Sequence, residues 1–342
     1  MSEFKVNTIT NKDGSHGPQV CGITTFGSSG IQLPTGPTVF RGGRGRGILG
    51  GSYPANTTLI NKIEIATKGD ATSFGLLRSG HSWSYPSASS TRGIFAGGYT
   101  NPTAIISAID YVIFSSGGGG NDFGDLNIAL KQGAGFSDST RGVFATGGEA
   151  SPTPVTSAIS FITMASTGSE SGFGDALSAR RGAKGLASPT RGVFAQGGYL
   201  KSPGVAATNV IEYVTIQSKG NAVEFGDRTS THEFQGAAAS NTTRGILAGG
   251  YVTPANKNII DYITIATTGN ATDFGDLTSA RHGGGGMSSA TRAVFGGMWD
   301  GAADETMDYV TIPSTGNAVD FGDTTAAVYY ADGCSNVHGG LG

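Results

Sequence analysis

Cysteine is nearly absent from this chain. Only Cys21 and Cys334 occur, near opposite ends, with no Cys-x-x-Cys pair and no zinc-ligand spacing. A metal-stapled fold and a dithiol redox centre are therefore excluded, while a single bond between the two cysteines stays open. Charge is sparse as well: 22 basic residues against 25 acidic ones leave a net charge of −3, which gives no electrostatic reason to expect nucleic acid or an anionic membrane as partner. The one basic run, Arg41-Gly-Gly-Arg44-Gly-Arg46, has no aromatic or basic continuation and reads as the approach to the first strand. The opening Met-Ser-Glu-Phe-Lys-Val lacks the apolar core of a secretory leader. No run of 18 apolar residues appears, so a soluble chain without an export signal or membrane insertion is expected.

Glycine, by contrast, is abundant: 58 of 342 residues, without a collagen period and at recurring places. The segment Thr-Arg-Gly-(Ile/Val)-(Phe/Leu)-Ala, closed by Gly-Gly, returns at Arg92, Arg141, Arg191 and Arg244, with weaker copies at Arg46 and Arg292. Successive arginines lie 46, 49, 50, 53 and 48 residues apart. A repeat of about 50 residues whose first strand ends in paired glycines has the period of kelch-type propellers.

Each repeat carries a second, alternating run: Ile60–Ile65, Ile109–Phe114, Ile159–Met164, Ile211–Ile216, Ile260–Ile265 and Met307–Ile312. These are rich in β-branched and aromatic residues, as half-buried strands require. A third run ends in Phe-Gly-Asp at Phe123, Phe173, Phe225, Phe274 and Phe321, with Phe74-Gly-Leu76 as the degenerate member. From the start of the second run to that Phe the distance is 14 residues in all six repeats, across a Gly-Asn type turn such as Thr268-Gly-Asn270. A register-locked hairpin demands such a constant count. Softer small-residue runs, such as Ala179–Leu186 and Ala280–Met287, suit an innermost strand and belong to the following blade.

The first repeat has no such inner strand before Arg46, whereas the last continues past Phe321 through Ala326–Val337. That terminal stretch is expected to pair with Arg46–Gly51 and remove two exposed sheet edges. The expected fold is therefore all-β: a six-bladed kelch-like β-propeller over residues 45–342, closed by the C-terminal strand, preceded by an extended N-terminal arm over residues 1–44.

Ile260–Leu277, together with the Thr-Arg-Gly-Val-Phe-Ala-x-Gly-Gly segments, resembles repeats of virion structural proteins from marine tailed phages, cyanophages in particular. The arm, with Phe4–Gly14 and Ile31–Gly36, is similar to leader segments of fibre and appendage proteins of such phages. The resemblance implies a component of the virus particle, assembled in the host cytoplasm and present in several copies or as a homo-oligomer. Its propeller would be displayed for host recognition. Alternatives are a capsid or baseplate cementing protein without receptor role, and a glycan depolymerase.

The arm's short strand-like runs, carrying Phe4, Val6, Ile9, Ile23 and Phe26, are too few for a core and are expected to anchor the chain to other virion proteins. Within the repeats, the distance from the second Gly to the next strand varies from 9 residues (Gly51 to Ile60) to 13 (Gly198 to Ile211). Antiparallel alternation gathers these loops, with the links between blades, on one rim, where a rigid scaffold carries a binding face. They hold Tyr53, Tyr99, Tyr199, Tyr251 and Trp299 among Asn, Thr, Pro and Ser, a composition suited to glycans and flat protein surfaces.

No catalytic residue and no cofactor are expected. The recurrent Arg and the Asp of Phe-Gly-Asp repeat around a ring, which assigns them to an ion pair or backbone bond between blades, makes the first blade, with Leu76 in place of Asp, the weakest link, and makes Asp276 important for stability. His81, His232 and His282 sit on or beside inner strands, but no carboxylate pattern accompanies them and no metal is expected. The glycine strings at 117–120 and 283–286 lack the Lys-Ser/Thr of a phosphate loop. Acid pairs for glycoside hydrolysis could be drawn only from scattered residues such as Glu233, Asp300, Asp304 and Glu305.

Overall fold

The structure, a computed structural model, describes residues 19–20, 23–25, 31–32 and 45–341, except 54–56, 101–103, 149–154 and 202–203. Two units separate by their internal contacts, Met1–Gly43 and Arg44–Gly342. In the first, Gln19–Val20, Ile23–Thr25 and Ile31–Gln32 form a small antiparallel sheet. Ile23 thus lies in a strand, whereas Phe4, Val6, Ile9 and Phe26 lie outside the described residues, as does Cys21.

The second unit is a six-bladed β-propeller of six four-stranded antiparallel sheets. Blade 5 shows the plan, running outward from the channel as Phe234–Ser240, Arg244–Val252, Ala255–Thr264 and Thr272–Asp276. The other inner strands are Asp332–Ser335 in blade 1, Tyr85–Ala88, Ala134–Ser137, Lys184–Ala187 and Gly285–Ser288. Small residues are required there. A Cβ on Gly286 would stand 2.0 Å from the Ala238 carbonyl oxygen of the neighbouring blade.

Asp332–Ser335 pairs with Arg46–Gly50 through Cys334↔Ile48, so the chain's last strand closes the ring. Asn336 Oδ1 accepts the Arg46 N–H at 2.8 Å, as Asp138 Oδ1 does for Arg141 at 2.8 Å and Asn241 Oδ1 for Arg244 at 2.7 Å. The seam thereby copies, without a covalent link, the turn that joins inner and second strands elsewhere. The terminal stretch is nevertheless divided differently from the expectation. Its first residues, up to Val328, extend the outer strand Val319–Val328 of blade 6 and reach Asp304. The chain then turns at Tyr330, whose φ is +57°, before the closing strand begins.

Blade registers agree with the constant count in the sequence. Ile60↔Gly75, Ile109↔Gly124, Ile159↔Gly174, Ile211↔Gly226, Ile260↔Gly275 and Met307↔Gly322 are equivalent pairs, each followed by a β-bulge. The Gly-Asn segment, however, is not a tight hairpin turn. It reaches to the adjacent blade: Gly269 N–H donates to Phe225 O (2.8 Å) and Asn270 Oδ1 accepts from Asp227 N–H (3.1 Å). Around the seam, Gly69 N–H donates to Phe321 O at 2.9 Å, so the clasp runs through the whole ring.

The repeated arginines make the second clasp between blades. Arg92, Arg141, Arg191 and Arg244 donate to Met164, Ile216, Ile265 and Ile312 carbonyls at 2.9–3.1 Å, Arg46 donates to Phe114, and Arg292 closes the circle on Ile65 and Ala66. Five of these guanidinium groups also lie over the aromatic ring of their own blade's third strand, Tyr213 for Arg191 at 4.7 Å for example, and that ring meets the Phe of Phe-Gly-Asp edge-on. Blade 1 has Lys62 in place of the aromatic residue, and Arg46 pairs with Glu64 at 3.5 Å instead.

Of the two contacts expected for the Asp of Phe-Gly-Asp, the structure takes the backbone bond and not the ion pair. Asp227 and Asp276 join neighbouring blades through main-chain N–H and C=O groups, not carboxylates. Blade 1 makes the same clasp with Leu76, whose carbonyl accepts Gly120 N–H at 2.6 Å, so the missing acid costs nothing there. The buried acids stand instead on the third strands. Asp261 pairs with Arg228 at 2.7 Å and Asp308 with Arg281, with at most 1% of any of these side chains exposed.

Candidate functional site

The loops after the paired glycines and the links between blades share one rim, tied by the bridges Tyr53↔Tyr329, Ser82↔Tyr99, Lys131↔Gly148 and His282↔Trp299. Immediately before each inner strand the link bends into the channel mouth. At equivalent positions in four blades stand Trp83 (φ +58°), Gln132 (+62°), Gly182 (+72°) and Gly283 (+70°), with Tyr330 (+57°) entering blade 1. This left-handed conformation costs a non-glycine residue about 1–2 kcal/mol. Two blades fill the position with glycine, yet two others hold bulky aromatic residues there. Such retained strain marks positions where the side chain itself is needed.

Those rings belong to a continuous arc. Tyr53 stacks on Trp83 (centroids 5.5 Å apart, planes at 19°), and Trp83 also meets Tyr99 at 5.7 Å and Tyr330 at 4.7 Å. Tyr329 lies 5.1 Å from Tyr330 and 4.4 Å from Trp299. His282 continues the arc to Tyr330, Tyr251 and Phe234 at 5.5, 5.1 and 6.2 Å. Of the rim residues expected from the sequence, Tyr53, Tyr99, Tyr251 and Trp299 therefore converge. Tyr199 lies in the strand Tyr199–Lys201, and its side chain is outside the described residues. Trp83, His282, Tyr329 and Tyr330 come from the blade links and Phe234 from the start of an inner strand, none of which the sequence singles out as aromatic carriers.

Four rings of the arc, Trp83, Phe234, His282 and Tyr330, wall a funnel of about 210 Å³ at the channel mouth together with Gln132 and Gln235, whereas Tyr53, Tyr99, Tyr251 and Trp299 are not among its walls. Its floor is a bar across the channel: Lys184 Nζ of blade 4 meets Asp332 Oδ1 of blade 1 at 2.8 Å, while Asp332 Oδ2 accepts from Ser84 N–H and Oγ–H at 2.6 and 3.0 Å. Below the bar a smaller space of about 60 Å³ remains. The far mouth is stopped by the chain's end. His338 Nε2 lies 2.9 Å from Ala88 O, and a Cβ on Gly340 would fall 1.8 Å from Ser137 O.

The walls are held rigidly. Arg228, clamped by Asp261, donates to Gln235 Oε1, and Gln235 Nε2 donates to Gln196 O at 2.6 Å. Burial pushes His282 down to about 4, so it is neutral at pH 7. In that form Nδ1–H donates to Asn256 Oδ1 (2.7 Å) and Nε2 accepts the Tyr330 hydroxyl (3.2 Å). Burial, then the neighbouring Tyr329 and Tyr53 hydroxyls, raise Tyr330 to about 12 and keep it a neutral donor. Rigid, largely preformed walls reduce the ordering cost of binding.

Apart from Asp332 in the floor, which Lys184 and Ser84 hold, no carboxylate lines the funnel among the described residues. The acids considered for hydrolysis are scattered and engaged: Asp304 with Arg281 and Thr306, Glu233 with Thr253, Asp300 with the Ala302 N–H. Among the described residues no group of three or more His, Cys, Asp or Glu could hold a metal, and His81 and His232 are buried away from the funnel lining. Cys334 is a free, buried thiol whose ionisation burial pushes up. No described helix is long and apolar enough to cross a membrane. The sequence matches no known family model and no curated protein significantly.

Proposed function

We propose that this propeller is a non-enzymatic binding protein whose aromatic funnel takes a host-surface glycan. A β-propeller scaffold is compatible with binding or with a structural role; the arc of rings around the funnel favours binding. The carrying observation is that Trp83 and Tyr330 hold rings at the mouth in a backbone conformation that glycine fills in other blades. Sugar rings present C–H faces that stack on aromatic side chains, and their hydroxyls pair with amides such as Gln132 and Gln235. The funnel's one carboxylate, Asp332 in the floor, is already bound by Lys184, which argues against glycoside hydrolysis there, since that requires two.

The sequence resemblance to marine phage virion proteins supplies the setting. The chain is a particle component, residues 1–44 attach it to other virion proteins, and the propeller faces outward. Immobilised full-length protein should retain glycans extracted from a susceptible host envelope, and Trp83→Gly should abolish retention without lowering expression of folded protein. Release of shorter oligosaccharides during incubation would overturn the non-enzymatic reading. Equal retention by wild type and Trp83→Gly would remove the funnel from it.

A further inference from the structure

Beyond its rings, the funnel mouth carries an uncompensated charge. Lys131 and Arg181 occupy equivalent positions in consecutive blade links, and both are half-buried. Lys131 Nζ lies 4.2 Å from the Tyr99 ring centroid and 5.5 Å from that of Trp83. The Arg181 guanidinium stands 5.7 Å from the Phe234 ring. Trp83 and Phe234 both line the funnel, with Gln132 between them.

Neither cation has an acidic partner among the described residues. The other ionisable groups facing the mouth are already satisfied: Lys184 by Asp332, Glu233 by the Thr253 hydroxyl and N–H, and His282 is neutral. Burial lowers the pKa of Lys131, and Arg181 lowers it further, which registers two like charges in one desolvated place. Arg181 Nε and Gln132 Oε1 are moreover shut off from solvent without a hydrogen-bond partner. A protein of net charge −3 thus keeps, among the described residues, two cations without an acidic partner and two unmet polar atoms beside one aromatic funnel. A bound anion would compensate the two cations and accept from the Arg181 Nε–H, while a hydroxyl on the same ligand would donate to Gln132 Oε1.

We infer that the funnel takes an acidic saccharide, its anionic group held by Lys131 and Arg181 while its ring lies on Trp83. This rests on the saccharide reading of the same site and adds its charge class. Guanidinium and ammonium groups at one edge suit a carboxylate or a sulfate alike. Two cations are too few for a nucleic-acid track, and the chain's acidity opposes one.

The test uses the full chain with three trisaccharides: galacturonate, sulfated galactose and neutral galactose. Calorimetry at low and at physiological salt should show at least one acidic form binding about tenfold or more tighter than the neutral one. The member preferred identifies carboxylate or sulfate as the source. Lys131→Gln and Arg181→Gln should each weaken that binding about tenfold, leave the neutral sugar within about twofold, and melt like wild type. Equal binding of all three sugars, untouched by either substitution, would overturn the inference while leaving the saccharide reading intact. Binding of none of them would remove that reading as well. Competition by inorganic polyphosphate as effective as by the acidic sugar would also overturn the inference, because charge alone would then account for it.

Discussion

Side chains at the funnel mouth carry a strain that can be measured. Gln132 sits at φ +62° where Gly182 and Gly283 serve the neighbouring positions. Gln132→Gly relieves the left-handed penalty but adds backbone entropy to the unfolded chain, for an expected net gain of about 0.5–1 kcal/mol in denaturant unfolding. The buried ion pairs give a contrast between two aspartates. Asp261→Ala leaves Arg228 buried in blade 5 without an acidic partner among the described residues and should cost about 3–5 kcal/mol. Asp276→Asn should change stability by no more than about 0.5 kcal/mol, since Asp276 bonds its neighbour through the main chain. Paired melts of the two variants check both. At this scale the sequence was only half legible. The recurrent Arg could be assigned to blade contacts because it repeats, whereas Trp83 and Tyr330 escaped because their position holds a different residue in nearly every blade. Aligning the repeats on their second strands and asking which position varies would have found them.

Strands and their connections were read more securely. The constant 14-residue count encoded the register, because a one-residue slip would expose Ile109 and its counterparts. The Gly-Asn segments do join antiparallel neighbours, but a local hairpin signal cannot reveal that they also bond to the blade beside them. The closing strand was anticipated from the gap before Arg46, but its first residues went to the outer strand of blade 6, a division decided by the turn at Tyr330. Deleting residues 332–342 uncovers Arg46–Gly50 and removes Asn336 from the seam. The truncated chain should unfold less cooperatively and aggregate on warming, as an unpaired strand edge becomes available. Light scattering during a melt would read this. A truncated chain as monomeric and cooperative as wild type would deny the strand its closing role.

Over the whole propeller, four histidines are buried and lowered: His81, His232, His282 and His338, with His282 near 4 and His232 near 2. Between those values and 6.5 the unfolded chain binds more protons than the folded one. Stability therefore holds above pH 6.5 and falls as pH drops, by about 1.4 kcal/mol per pH unit for each histidine still neutral. Asp110 and Glu212, raised by burial, act in the opposite sense above the ordinary carboxylate range, but they are two against four. Melting temperature should fall steadily from pH 6.5 to 5, and His282→Gln should flatten the slope. A flat profile would mean that these rings are accessible to protons in the native state.

The bar of Lys184 and Asp332 and the stopper at His338 and Gly340 have one more consequence. The passage through the disc is a cul-de-sac, so no polymer can thread it, and whatever enters must leave by the same door. For a long polysaccharide, only a chain terminus or a short branch has the shape to go in. If the funnel takes the glycan proposed for it, binding counts the ends on a surface and ignores the length behind them.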